Sequence, residues 1–332
     1  MRIEKKYTNW IFLFLFLFFH FAHLTSAYAQ KKVEREKNKV LGEGLALDTI
    51  ILANWTSNDL YYENEYSTSG ISGYLSYKDK DTLKTIFWRE IDTASAEYKA
   101  KTFKQVGDTG VFAEQQPKKF SDLRVITKTF RYEKMNVSKK NVKIQEEERE
   151  PTDYEIMMMD FRKMAYDGMR KDTAFYTEYQ STALKAVPMD MGKKIKVYIY
   201  SASTSDDFVP LGGDYYMLYK KKEKEFIERQ KLHDRIIMIS SHYNGKSSDA
   251  NKATFHYHKG DSPELITPTD IATLLLYKAI VDWYEHRVIS ETHTCIFTLI
   301  DRKLQVMPTK EYERLNKKKT ARDKEEKNAN FH

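Results

Sequence analysis

A single cysteine, Cys295, serves the whole chain of 332 residues. No intrachain disulfide can form, so the fold must rest on its core. Cys295 lies in the apolar run Thr294–Ile300 and reads as buried packing, not as a nucleophile. The sequence has no glycine-rich phosphate loop, no internal repeat, no Ser-His-Asp elbow and no paired-carboxylate signature. These absences remove P-loop chemistry, solenoid architecture and serine-type hydrolysis from consideration. Charge of one sign is only in mild excess, with 55 Lys and Arg against 48 Asp and Glu. No nucleic-acid motif accompanies it, and no nucleic-acid partner is expected.

Long apolar runs are also missing. The longest, Trp10 to Phe21 and broken only by His20, falls short of the roughly 20 residues that span a bilayer. Arg2, Lys5 and Lys6 precede it, and Ala27-Tyr28-Ala29 follows. This three-part pattern predicts a secretory signal peptide over residues 1–29, cleaved before Gln30. No cysteine stands near that point, which argues against a lipoprotein anchor. The expectation is an exported protein, periplasmic or extracellular, without a stable membrane span after cleavage; an uncleaved N-terminal anchor is the alternative. Loss of Arg2, Lys5, Lys6 and Glu4 lowers the net charge from +7 to +5.

Aromatic residues are plentiful, with 23 Tyr and 18 Phe, enough to furnish a core. Residues 30–40 read as frayed, Leu41 to Trp55 as a short helix, and Gly73–Tyr77 with Leu83–Trp88 as a β-hairpin. The pattern between 94 and 150 assigns little. Lys139–Glu150 reads as a boundary or a solvated helix face. Thr152 and Glu155 form a capping-box signature ahead of a stripe of Ile156, Met157, Phe161, Met164, Ala165 and Met169. Strands are expected at Lys196–Tyr200, Asp214–Tyr219, Glu225–Arg229, Arg235–Ile239, Lys252–His258 and Thr294–Ile300, with an apolar helix over Ile271–Tyr284. The class is α+β, a mixed sheet packed with two or three helices. The expected organisation is an N-terminal α+β region over 30–150, a second α+β domain over 151–310, and a charged, disordered tail over 311–332.

The stretch that carries chemistry runs from Thr254 to Lys278. On a strand, His256 and His258 share a face, opposite Phe255 and Tyr257. Asp270 falls in the first turn of the following helix and can point back at the strand. Two His, one Asp and an open position for water make a workable catalytic zinc set. The competing interpretation is two histidines on a tyrosine-rich strand with no metal, Asp270 serving the helix N-terminus electrostatically. It would leave a non-catalytic cell-envelope protein that binds a partner through its aromatic N-terminal half.

The order His256-x-His258, a loop with Gly260, Asp261 and Pro263, then Thr267-x-x-Asp270 opening an apolar helix, resembles the JAB/MPN (JAMM) metalloprotease motif. The resemblance implies a JAB/MPN-like fold in the C-terminal half, a zinc ion on His256, His258 and Asp270, and hydrolysis of a protein or peptide substrate. Thr267 would stand where the family has a serine and would contact the oxyanion or the attacking water. The chain departs from the pattern in four ways. The spacer from Lys259 to Thr269 is eleven residues, Lys259 replaces a proline, Thr267 replaces the serine, and the family's general-base glutamate has no assigned counterpart. Glu225 and Glu228 lie on a candidate strand, but nothing marks either. His233 and His242 flank the Ile236–Ile239 run and read as surface residues, with a further ligand as the alternative for either; His286 and His293 read as turn residues. The chain as a whole resembles secreted proteins of the Bacteroidetes, a likeness that implies no activity.

Overall fold

The computed structural model describes residues 4–66, 70–92, 103–106, 111–114, 123–146, 148–205, 207–240, 253–279 and 283–329. Its class is α+β, with four helices and several sheets among the described residues. Helix α1 (Glu4–Glu63) is far longer than the expected Leu41–Trp55 segment, and residues 30–40 are helical, not frayed. The reason is tertiary. Val40, Leu41 and Leu45 pack on one core while Leu47, Ile50, Ile51, Leu60 and Tyr61 are buried in another, so apolar contacts extend the helix in both directions. Of the segment read as a signal peptide, residues 4–29 lie within α1, and residues 1–3 lie outside the described residues. No described helix is long and apolar enough to cross a membrane, which says nothing of a β-barrel.

Strands β1 (Gly73–Asp79) and β2 (Thr82–Glu90) form the expected hairpin, closed by Lys80-Asp81 with Lys80 at positive φ. Strands β3 (Phe103–Val106) and β4 (Val111–Glu114) pair with each other. Strands β5 (Arg124–Glu133) and β6 (Val142–Gln145) complete an antiparallel sheet in the order β1-β2-β5-β6. Lys139–Glu150 thus contributes a strand where a boundary or helix face was expected.

Helix α2 (Asp153–Lys171) starts at the expected capping box. Its stripe of Met158, Met159, Phe161, Ala165 and Met169 is buried against a second sheet. That sheet holds β7 (Thr182–Asp190) and β8 (Lys194–Ser203), and further β10 and β11, in the order β11-β10-β8-β7. Between β8 and this hairpin runs β9 (Phe208–Gly212), followed by β10 (Tyr215–Lys220), β11 (Phe226–Lys231) and β12 (Ile236–Ser240), with β12 paired to β9.

The last part is a mixed sheet. Strand β13 (Ala253–Tyr257) leads through α3 (Pro268–Leu276) to a parallel partner, β14 (Glu285–Ile289); β15 (His293–Thr298) and β16 (Lys303–Pro308) follow antiparallel. Parallel pairing requires such a crossover. The α-helix ends at Leu276 and tightens into a 3-10 turn over Tyr277–Ala279, short of the expected Tyr284. Tyr277 explains the early stop: its ring packs edge-on against Trp55 at 5.3 Å, and its hydroxyl accepts a hydrogen bond from Ser203 N. The charged tail, expected to be disordered, forms α4 (Thr309–Ala329), exposed along most of its described side chains. Lys, Arg, Glu and Ala are strong helix formers, and Tyr312 anchors the start by accepting from Arg287 Nη1 at 3.1 Å.

Two glycine positions fix the geometry around α3. A Cβ on Gly44 would stand 2.7 Å from Ile271 Cβ, so the close approach of α1 to α3 requires glycine there. Gly212 and Gly213 both take positive φ, and a Cβ on Gly212 would meet Arg235 O at 2.5 Å. That turn holds the end of β9 against the segment between β11 and β12.

Candidate metal centre

The β10–β11 hairpin assembles the first part of the site. Tyr215 pairs with Lys231, so the next residues out, Asp214 and Leu232, lie opposite each other, and Leu232 N donates to Asp214 O at 2.9 Å. His233 follows directly. Its Nδ1–H donates to Asp214 Oδ1 at 2.5 Å, which turns Nε2 the other way.

Strand β13 supplies the second part. Its alternation buries His256 and leaves Phe255 and Tyr257 exposed, as the strand period requires. His258, just past the strand, donates through Nδ1 to Pro263 O at 2.6 Å. His256 Nδ1 is paired with His286 Nε2 at 2.8 Å, and His286 Nδ1 with Thr254 Oγ1 at 2.7 Å. His286 is not in a turn. It lies on β14 beside Thr254 in the parallel register and is fully buried.

Helix α3 supplies the third part. Thr267 is its N-cap and Asp270 its third residue, in a complete capping box. Thr267 N and Thr267 Oγ1 both donate to Asp270 Oδ2 at 2.9 Å. The hydroxyl expected at an oxyanion is thus spent on holding the carboxylate. Asp270 Oδ1 is buried and accepts no hydrogen bond. His233 Nε2 stands 3.3 Å from it, in ion-pair range only.

These parts converge. His233 Nε2 and His256 Nε2 lie 2.8 and 3.0 Å from His258 Nε2, and one donor atom from each of His233, His256, His258 and Asp270 falls within 4.8 Å of the others. None of the four is more than 6% exposed. Tetrahedral ligands at about 2.0–2.1 Å from an ion stand roughly 3.3 Å apart, so the spacing is close to that of a metal site. The chemistry agrees. His233 Nδ1 and His258 Nδ1 each donate to an acceptor, Asp214 Oδ1 and Pro263 O, and His256 Nδ1 meets a ring nitrogen of His286, so the three Nε2 atoms face one another beside a carboxylate oxygen that accepts no hydrogen bond. Histidine ligands are commonly oriented in this way, by a carboxylate or carbonyl on the far nitrogen. The cluster can hold a metal ion.

Electrostatics distribute the protons in the ion-free cluster. Burial pushes His256 down to about 3, His286 to about 4 and His258 below its usual value, so these stay neutral. Burial also opposes charge on His233, but the Asp214 and Asp270 carboxylates outweigh it and raise His233 well above its ordinary value. Burial would raise Asp270 as well; the charged His233 beside it overcomes this and holds the carboxylate well below its usual range. A proton on His233 thus stands where an ion would bring its charge, and metal uptake would release it.

A groove of about 630 Å³ reaches this cluster from the surface. His233 and His256 line it together with Asp234, Arg235, Ile237 and Phe255, among others. Of the residues singled out in sequence, His256, His258 and Asp270 are brought together and Thr267 supports Asp270. Glu225 pairs with Lys220 and Glu228 with Tyr216, both on the exposed hairpin. No described glutamate joins the cluster. Sequence reasoning held His233 only as an alternative further ligand, and missed Asp214 and His286. A register drawn through the β10–β11 hairpin points to the first two, and the alternation in Glu285-His-Arg-Val-Ile289 points to the third. No family model matches the chain, and neither a curated protein nor a solved structure resembles it.

Proposed function

We propose that this protein is an exported, zinc-dependent hydrolase of peptide or isopeptide bonds, with its ion held by His233, His256, His258 and Asp270. The observation that carries the reading is the convergence of three imidazole Nε2 atoms and one carboxylate oxygen that accepts no hydrogen bond beside a surface groove. Three nitrogen donors and one oxygen in a compact buried set suit zinc. Zinc there supplies Lewis acidity toward a carbonyl and lowers the pKa of water. His-x-His at β13 followed by Asp at the head of α3 keeps the JAB/MPN-like order, to which His233 is an addition. In this reading the proton of the attacking water would pass to Asp234, the carboxylate next to His233 that lines the groove. Residues 1–29 supply export.

One observation favours a second reading. Four protein donors can saturate a tetrahedral ion, which is the habit of structural zinc sites. The deciding experiment measures the metal content of the desalted protein by elemental analysis, beside a His256→Ala/His258→Ala double variant. It then assays quenched peptides and an isopeptide-linked pair with and without chelator. About one zinc per chain, lost in the variant, with chelator-sensitive cleavage is the expected result. Zinc without cleavage leaves the structural role. No metal in either protein after incubation with zinc sinks both.

A further inference from the structure

The groove beside the cluster has a directional feature. Phe255 and Tyr257 project from one face of β13 and His256 from the other, yet all three line the same groove. A groove touched by both faces of a strand runs along its edge. One edge of β13 is taken by β14. The groove therefore follows the other edge, with which no described strand pairs.

That edge presents defined backbone groups. His258 N donates to Ile289 O, so His258, and with it His256, turns its amide toward β14. Alternate residues turn the opposite way. Phe255 and Tyr257 thus direct their N–H and C=O groups to the groove side. Such a row is a template for an added strand, a common mode of peptide recognition. Of the charged side chains lining the groove, Arg235 and Lys259 are basic and Asp234 is acidic. Phe255 is 60% exposed and Tyr257 56%, which leaves apolar surface for side chains of a bound segment.

We infer that the groove binds an extended acidic peptide segment as an additional strand on the free edge of β13, its backbone pairing with Phe255 and Tyr257 beside the metal cluster. For the fate of the peptide the inference rests on the hydrolase reading; for its binding it rests on the edge geometry. Alternate peptide residues would face the exposed aromatic rings, where Lys259 Nζ lies 5.4 Å from the Tyr257 ring centroid and meets an acidic group at the rim, and their acidic neighbours would meet Arg235. An edge approach also brings an extended backbone past His256, so a carbonyl of the segment passes close to the cluster.

The test uses three synthetic nonapeptides with the zinc-loaded protein: an alternating Glu/Leu sequence, the matching Lys/Leu sequence, and the Glu/Leu sequence N-methylated at alternate residues. Binding is read by fluorescence anisotropy and cleavage separately by mass spectrometry. A Tyr257→Pro variant removes the edge-facing N–H without touching the β14 ladder, and proline is tolerated on an edge strand. Its zinc content confirms that it folds; if it fails to fold, Phe255→Pro takes its place. The expected result is at least a tenfold preference for Glu/Leu over Lys/Leu, and a similar loss on N-methylation and in the proline variant. Equal or tighter binding of Lys/Leu, indifference to N-methylation or to the proline, or no binding at all would overturn the inference. Binding without cleavage keeps the groove and defeats the hydrolase reading alone.

Discussion

Two helices of this protein begin with the same device and put it to different use. Both α2 and α3 open on a threonine N-cap with an acidic third residue, each closing a full capping box. At α2, Glu155 has every acceptor filled. Arg149 donates to both carboxylate oxygens at 2.7 and 2.8 Å, Tyr77 Oη at 2.6 Å and Thr152 N at 2.8 Å. At α3, Asp270 Oδ2 is filled by Thr267, while Oδ1 accepts no hydrogen bond and stands 3.3 Å from His233 Nε2 and 3.9 Å from His256 Nε2. Buried polar groups are normally satisfied. A saturated box is therefore complete as structure, whereas at α3 one carboxylate oxygen is left to the charge of His233 in the ion-free cluster, and to an ion where one binds. The shorter side chain of Asp contributes to the contrast: it reaches back to its own cap and leaves its second oxygen aimed inward.

The largest expected effect breaks the α2 side. Arg149→Ala leaves Glu155, 1% exposed, without its cation. The cost should be about 3 kcal/mol, the low end for a broken buried pair, because Tyr77 and Thr152 still donate to the carboxylate. Chemical denaturation should show the loss with zinc content unchanged. The pH dependence sharpens this. Burial would raise Glu155, but the hydrogen bonds from Arg149, Tyr77 and Thr152 N hold it below its usual value. A depressed folded pKa gives stability that is present above the unfolded value of about 4.5 and lost as pH falls through the folded one. The wild type should lose this contribution below about pH 4.5, and Arg149→Ala should show a shallower acid slope.

On the α3 side the next effect is in metal affinity. Asp214→Asn keeps an acceptor for His233 Nδ1 but removes the charge behind it. Outer partners of this kind are worth about 10–100-fold in metal affinity. Competition with a zinc chelator should show that loss with the fold intact by circular dichroism. An unchanged affinity would mean that His233 is not a ligand, and that the site is the three-residue set of His256, His258 and Asp270.

The contrast also separates what sequence reveals from what it hides. Both capping boxes are local, three residues apart, and legible from residue types alone. So are the His256/His258 face and the β1–β2 and β10–β11 hairpins, because the strand period and turn composition are local too. The site's remaining members are not. His233 lies 23 residues before His256 and reaches the cluster only through the hairpin register that sets it beside Asp214. His286 was hidden by an apolar pattern that ran on past the true end of α3, where Tyr277 packs on Trp55 and stops the helix. The length of α1 was equally illegible, since contacts distant in sequence extend it through residues 30–40.

The smallest expected effect compares the caps themselves. Thr152→Ala and Thr267→Ala each remove an N-cap hydroxyl, at a cost of about 1 kcal/mol of stability. If the two boxes differ as the geometry indicates, the variants part company once zinc is varied. Thr152→Ala should cost the same with and without zinc, since Glu155 retains Arg149 and Tyr77. Thr267→Ala also removes one of the two donors that fix Asp270 Oδ2, so Asp270 becomes free to turn and zinc binding must reorder it. Thermal unfolding at a series of zinc concentrations separates the two cases. If the cluster takes zinc as proposed, the stabilisation it gives the wild type should persist in Thr152→Ala and shrink in Thr267→Ala, because that stabilisation rises with the logarithm of the ligand's affinity for the folded state. Equal zinc-dependent gains in both variants would make Thr267 a cap and nothing more, and would leave the orientation of Asp270 to its backbone contact alone.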